Sequence, residues 1–132
     1  ESNPYPLLRH ARLLVMTSHW EGLPITLLEG MSLGVPGVIS DCSEGIRSVW
    51  NVPSSNVRSG KKVSCRSMPY GVLIDGMNND IETINTWATA IGQLLDDKKQ
   101  RETCSAASRA RSQDYAVEKV LEIWMGKLLA NL

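Results

Sequence analysis

The order strand, helix, strand near the start of the chain constrains the fold more than any other feature. An apolar run over residues 12–17 is typical of a strand buried on both faces of a parallel sheet. A helix is predicted over 24–33, because Pro24 suits the first turn of a helix and Gly34 suits a left-handed position just past its end. A second short strand is predicted over 37–40. Two strands joined by a helix form a parallel pair with a right-handed crossover, so we predict an α/β domain with a Rossmann-like parallel sheet and flanking helices.

The remainder of the chain continues this alternation. Further elements are predicted as helical turns over 45–50, a strand over 71–74, a helix over 81–95, a polar helix over 98–113 and a C-terminal helix within 116–132. Residues 51–69 form the one long stretch without hydrophobic periodicity. Loops of this length are uncommon inside compact domains and are usually functional or disordered, so we predict a mobile loop there.

Length and composition indicate one ordinary globular unit. A chain of 132 residues is one domain at most, and 42% apolar and 21% charged residues suit a soluble protein. The net charge of zero argues against a nucleic-acid partner, which clustered basic residues would favour. No apolar run approaches the roughly 18 residues of a membrane span. The three cysteines are odd in number and show no Cys-x-x-Cys spacing, which favours reduced thiols and a cytoplasmic location.

The start of the first predicted helix is a candidate anion site. With Pro24 in the first turn, we expect the amides of Ile25, Thr26 and Leu27 to point out of the helix start. The helix macrodipole is positive there, which favours a bound phosphate. No Gly-x-Gly-x-x-Gly and no Gly-Lys-Ser/Thr phosphate loop occurs elsewhere in the chain.

Two glutamates lie close to this helix start. Glu29 is about 7–8 Å further along the helix axis, and helical side chains lean back toward the N-terminus. Glu21 lies on the loop just before the helix. Their simpler interpretations are a solvent-facing helix residue for Glu29 and a carboxylate stabilised by the helix dipole for Glu21. Carboxylates accept hydrogen bonds from vicinal hydroxyls, so phosphate and hydroxyl contacts together predict a sugar-nucleotide site.

The two glutamates resemble the Glu-x7-Glu motif of retaining glycosyltransferases with the GT-B fold, the family-4 group in particular. The resemblance extends along most of the chain. Its other parts, in order, are residues 3–6, 11–15, 28–36, 41–49, 70–74 and 94–97. Segment 41–49 is similar to a Gly-Pro-Arg-Glu loop found in one subset of the family, although Ser48 stands where that subset has glutamate.

The resemblance implies that the chain is the distal part of the C-terminal, donor-binding domain of such an enzyme. The acceptor-binding N-terminal domain and a basic pair that contacts the donor phosphates would then lie outside it. A UDP-sugar would be the first candidate for the donor and a GDP-sugar the second. The acceptor would be a saccharide or a lipid-linked saccharide. No metal and no bound cofactor are implied.

The resemblance also implies roles for individual residues. Glu29 would bind the ribose hydroxyls, and Glu21, the candidate catalytic residue, would bind hydroxyls of the transferred sugar. Gly22 and Leu23 would bring the backbone close to the donor, an ordinary turn being the alternative for the glycine. Gly45, with Arg47 as a further candidate, would face the donor from the carboxyl end of a strand.

Other features leave alternatives open. His19 and Trp20 are candidates for the rim of the site, and a surface position is the usual one for such a histidine. The densest basic cluster is most simply a solvated helix face, with attachment to a membrane surface as the alternative; it consists of Lys98, Lys99, Arg101, Arg109 and Arg111. A sheet with an open edge strand also predicts self-association. The alternative functions are a non-catalytic nucleotide-sugar-binding or interaction module and a sugar-nucleotide epimerase of related fold.

Overall fold

The computed structural model describes residues 3–53 and 62–130, which form helices around one sheet. The helices are α1 (Tyr5–His10), α2 (Ile25–Ser32), α3 (Glu44–Val49), α4 (Ile81–Asp96), α5 (Lys98–Ser112) and α6 (Val117–Leu129). The strands are β1 (Leu14–Met16), β2 (Gly37–Ser40), β3 (Ser64–Met68) and β4 (Gly71–Asp75). A short 3-10 turn, Gln113–Tyr115, joins α5 to α6.

The sheet is mostly parallel and has the strand order β1-β2-β4-β3. β1 pairs with β2 and β2 with β4 in parallel, whereas β3 pairs with β4 in an antiparallel hairpin. Gly71, at the start of β4, has a φ of +145°, and a Cβ there would lie 1.9 Å from the carbonyl oxygen of Gly37. The close pairing of β2 with β4 therefore requires glycine at this position.

Helices cover both faces of the sheet, which confirms the Rossmann-like α/β class. On one face, Leu27 and Met31 of α2 and Ile46 of α3 pack with Ile39 and Trp50. On the opposite face, α4 contributes a second cluster, in which Trp87 and Leu94 pack against Val38 and Ile74 of the sheet. α5 packs against α2 and α4.

The first strand differs from the prediction in length and in burial. It spans only Leu14–Met16, and Val15 is 42% exposed, so the expectation of burial on both faces is wrong. The described residues cover β1 on the α2 face, where Leu14 and Met16 pack against the first cluster. β1 is also an edge strand, because it pairs with β2 alone within the described part of the chain.

The predicted loop over 51–69 is wrong for its second half. Ser64–Met68 forms β3, whose residues alternate between half-buried and exposed positions. Residues 54–61 lie outside the described residues, and the predicted mobility of the segment stays a prediction.

The final helix agrees in position with the one predicted within 116–132 and has no buried residue. Its exposed apolar side chains are Val117, Val120, Leu121, Ile123, Trp124, Met125, Leu128 and Leu129. Among the described residues, no helix is both long enough and apolar enough to span a membrane.

Candidate functional site

The predicted site residues gather at the carboxyl edge of the parallel strands. The loops that leave β1 and β2 both lie at this edge, because parallel strands end on the same side of a sheet. Open α/β sheets bind their ligands there. The loop after β1 carries Glu21 and leads into α2, and the loop after β2 leads into α3.

Glu21 is held in place by a chain of two short hydrogen bonds. The hydroxyl of Ser18 donates to Glu21 Oε1 at 2.6 Å, and the hydroxyl of the fully buried Ser40 donates to the carbonyl oxygen of Ser18 at 2.6 Å. The end of β2 thereby anchors the loop after β1. Because the Glu21 side chain is only partly buried, its carboxylate keeps acceptor capacity on the solvent side.

The helix start differs from the prediction by one residue. α2 begins at Ile25, and Pro24 precedes it with an extended ψ of 94° while its carbonyl oxygen accepts bonds from the amides of Leu27 and Leu28. The expectation that the Leu27 amide is free is therefore wrong. The amides of Ile25 and Thr26 make no hydrogen bond within residues 3–53 and 62–130, so two donors rather than three remain for an anion.

Glu29 is half-buried on α2 and already has a hydrogen-bond partner. The hydroxyl of Tyr5, on α1, donates to Glu29 Oε1 at 3.3 Å. The negative charge of Glu29 raises the pKa of Tyr5, because an anionic phenolate beside a carboxylate is disfavoured. A carboxylate has acceptor positions on both oxygens, so the Tyr5 bond leaves Glu29 able to accept from a ligand diol.

Gly45 brings the two loops into direct contact. A Cβ on Gly45 would lie 1.8 Å from the carbonyl oxygen of Gly22 and 3.3 Å from the Cα of Leu23. The first turn of α3 therefore packs against the backbone between Glu21 and α2. This contact gives Gly45 a packing role, and its role toward a donor stays a prediction.

A buried carboxylate follows directly after β2. The Asp41 side chain is fully buried, with Arg47 Nε donating to one oxygen at 2.7 Å and an Arg66 terminal nitrogen donating to the other at 2.5 Å. Arg47 also pairs with the exposed Glu44 at 2.9 Å. Burial opposes the charge of Arg47, but its hydrogen bonds to the two carboxylates outweigh burial and raise its pKa. Asp41 thus ties α3 to β3 beside the candidate site.

The candidate rim residues lie on the surface near this edge. Trp20 is 79% exposed, and His19 is exposed and borders a cavity of about 430 Å³ together with Thr17, Met77 and Trp87. Leu23 and Ile25 are more than half exposed on either side of Pro24. The two side chains therefore add exposed apolar surface at the start of α2.

Three contacts were missed at the sequence level: Tyr5 with Glu29, Ser18 with Glu21, and the two arginines with Asp41. A signal was present for two of them. Ser18 lies three residues before Glu21, and Asp41 directly follows a buried strand at the ligand-binding edge. No local pattern pointed to Tyr5, which precedes Glu29 by 24 residues.

Comparison with known proteins agrees with this arrangement. Residues 1–53 match the family described as glycosyl transferases group 1, and the matched part includes both glutamates. Together with the relatives below, this match indicates similarity to group 1 enzymes of the GT-B type.

Several curated relatives carry glycosyltransferase names. The chain is 28% identical over 135 residues to an uncharacterised glycosyltransferase of Methanocaldococcus jannaschii, covering 94% of this chain and 32% of the relative. It is 25% identical over 116 residues to the amylovoran biosynthesis glycosyltransferase AmsD of Erwinia amylovora, covering 88% of this chain and 27% of the relative. A 42-residue stretch is 45% identical to a lipopolysaccharide 1,6-galactosyltransferase of Salmonella typhimurium, covering 32% of this chain and 12% of the relative. The chain therefore spans about a third or less of the length of these relatives.

Proposed function

We propose that the chain is the donor-binding part of a retaining glycosyltransferase that uses a nucleotide-diphosphate sugar. The observation that carries the proposal is the helix start of α2, where two unbonded amides lie between two partly buried glutamates along the chain. The similarity to group 1 glycosyltransferases supports it. In this proposal the chain forms part of the C-terminal domain, and the acceptor binds to a separate N-terminal domain.

The proposed contacts divide the donor among the site residues. The amides of Ile25 and Thr26 bind the diphosphate, Glu29 accepts hydrogen bonds from the ribose hydroxyls, and Glu21 accepts hydrogen bonds from the sugar. Gly22 and Leu23 bring their backbone close to the donor. Ser18 orients the Glu21 carboxylate, and Tyr5 orients that of Glu29.

Stabilisation of the leaving group is the main catalytic contribution in this proposal. The acceptor hydroxyl oxygen bonds to the anomeric carbon of the sugar and loses its proton, while the bond from that carbon to the β-phosphate oxygen breaks. The electron pair of the broken bond stays on the diphosphate, whose negative charge grows. Preorganised amide donors at the positive end of a helix stabilise that charge. Glu21 fixes the orientation of the sugar during the same step.

A UDP-sugar is the first candidate for the donor, and a GDP-sugar is the second. The proposed acceptor is a growing saccharide or a lipid-linked saccharide. The names of the amylovoran and lipopolysaccharide relatives support a role in polysaccharide biosynthesis. The three free cysteines fit the proposed cytoplasmic location.

Nucleotide titration of the 132-residue chain tests the proposal. Free UDP and GDP are titrated by calorimetry into the wild type, into Glu29→Ala and into Glu122→Ala, a control that removes an exposed carboxylate from α6. Loss of hydrogen bonds to a charged acceptor should weaken nucleotide binding in Glu29→Ala by about 1.5–3 kcal/mol, with no change in the control. Equal affinities in all three proteins would refute the ribose assignment.

A further inference from the structure

A second cavity lies at the opposite edge of the sheet from the candidate donor site. Its volume is about 380 Å³, and Arg12 and Pro36 border it just before β1 and β2 begin. Because these strands are parallel, their starts lie at the edge remote from Glu21. The cavity is therefore separate from the site described above.

The side chains around this cavity are strongly unbalanced in charge. Four cations border it, and the only carboxylate among its described lining residues is Glu102. Glu102 lies 3.7 Å from Lys98, with both side chains largely exposed. The whole chain has no net charge, so the positive charge around this cavity is concentrated there and is not a general property of the surface.

The basic cluster seen in the sequence is divided by the fold. Lys98, Arg101 and Arg109 border the cavity, together with Arg12 from far earlier in the chain. Arg111 points elsewhere, because its guanidinium donates to the carbonyl oxygens of Ser48 and Val49 at the end of α3. The residues of the basic cluster therefore do not all lie on one surface. Three of them border the cavity, where they are joined by Arg12, which is too distant in sequence to have been grouped with them.

The two α5 arginines that border the cavity, Arg101 and Arg109, are held in place by neutral acceptors. Arg109 donates to the carbonyl oxygen of Leu33 at 2.8 Å and to the Ser105 hydroxyl at 2.7 Å. Gly34 makes room for it, since a Cβ there would lie 2.2 Å from a guanidinium nitrogen.

Arg101 is held at the end of α4. One of its terminal nitrogens donates to the carbonyl oxygens of Leu94, at 2.9 Å, and Leu95. These hydrogen bonds fix Arg101 and Arg109 in position. Because a guanidinium has five N–H donors, each of the two keeps donors that the described residues do not use. Within residues 3–53 and 62–130, neither Arg101 nor Arg109 pairs with a carboxylate, so no negative charge at close range offsets the charge of either guanidinium.

We propose that this cavity binds a phosphate group, presented either by an anionic lipid headgroup or by a soluble phosphate compound. Arginine and lysine together recognise phosphate by charge-assisted hydrogen bonds, and two arginines fixed in advance lose less conformational entropy when they bind. The site is independent of the proposed donor site, and neither proposal requires the other.

Binding of inorganic pyrophosphate and of vesicles tests the proposal in two arms. The 132-residue chain is titrated with pyrophosphate by calorimetry and is sedimented with phosphatidylcholine vesicles that contain or lack phosphatidylglycerol. The test variant is R12Q/K98Q, which removes two cations from the cavity without removing a bond to a helix end. The matched control is K62Q/K119Q, because neither of these lysines borders the cavity.

We expect the wild type to bind in at least one arm, with about tenfold weaker binding by R12Q/K98Q and unchanged binding by the control. The charge-preserving variant R12K/K98R should restore binding. Binding to phosphatidylglycerol vesicles alone identifies a lipid headgroup, and binding of free pyrophosphate identifies a soluble ligand. Absence of binding in both arms, or equal weakening in the two double variants, overturns the proposal.

Discussion

Replacement of Gly45 by alanine should destabilise the chain by forcing apart the two loops that form the candidate site. The added Cβ would lie 1.8 Å from the carbonyl oxygen of Gly22. Ordinary contact distances are about 3.5 Å, so the first turn of α3 and the loop before α2 must separate by roughly 1.7 Å. The atom in the way belongs to the backbone, and no rotation of a side chain can relieve the clash.

The expected magnitude follows from two opposing terms. Overpacking of this kind costs about 1–3 kcal/mol, and alanine gains up to about 1 kcal/mol over glycine as a helix former. Central values of the two terms leave a net loss of about 1.5 kcal/mol, which corresponds to a fall in Tm of roughly 4–10 °C for a domain of this size.

Gly92 provides a matched control, because the same replacement by alanine is expected to raise the stability there instead of lowering it. It lies inside α4, and an added Cβ there meets no atom within 4 Å. Gly92→Ala should therefore stabilise the chain by about 0.5–1 kcal/mol. Urea unfolding followed by far-UV circular dichroism measures both variants against the wild type. If Gly45→Ala were as stable as the wild type, the close contact between the loops would be refuted.

Three further predictions concern activity, association and pH. The 132-residue chain alone should transfer no sugar, because the proposal places the acceptor site outside it; transfer above the protein-free rate would contradict this. The exposed apolar side chains of α6 should make the chain self-associate, and Trp124→Glu should lower the mass measured by light scattering, whereas a monomeric wild type would refute the idea. The backbone amide of Thr83 donates to Asp80 Oδ1 at 2.8 Å, and this hydrogen bond lowers the pKa of Asp80, the N-cap of α4. Because this carboxylate is stabilising when charged, its contribution is present above pH 4 or so and is lost as pH falls below about 3.8. Asp80→Ser, which caps without titrating there, should lose less stability in urea unfolding between about pH 5 and pH 2.5 than the wild type, and equal losses would contradict the assignment.

Hydrophobic periodicity predicted the elements that bury apolar side chains. The strand at Gly37–Ser40 was predicted with its observed bounds, and the helix at Ile81–Asp96 was predicted one residue short. Both carry continuous or periodic apolar residues, because the sheet interior and the inner helix face select them. The left-handed position at Gly34 was also predicted, and its φ is +74°.

β3 could not be predicted, because two of its three half-buried residues, Ser64 and Arg66, are polar, and only Met68 packs against an apolar cluster. Arg66 lies on a half-buried position of the strand, where its charge is balanced by Asp41, 25 residues earlier. The alternation of Ser64–Met68 therefore carries little hydrophobic signal. Long-range ion pairs of this kind appear only when the fold brings their partners together.

The candidate site was predicted in part. Glu21 lies on the loop before α2 and Glu29 lies on α2, as predicted, but the number of free amides depended on where α2 begins. A proline can occupy either the N-cap or the first helical position, and sequence does not separate the two. The hydrogen bond from Tyr5 to Glu29 forms because α1 packs against α2. The sequence around either residue gives no information on how these two helices pack.

Amide chemical shifts on addition of UDP test the central proposal most directly. In a 15N-labelled chain, UDP should shift the amide resonances of Ile25 and Thr26 most strongly, because these amides are the free donors at the start of α2. The Leu27 amide, which is bonded to the Pro24 carbonyl, should shift less, and uridine without phosphates should leave all three nearly unchanged. A strong response of Ile25 and Thr26 that requires the diphosphate supports the proposed donor site. Saturable UDP binding that leaves both resonances in place would contradict it.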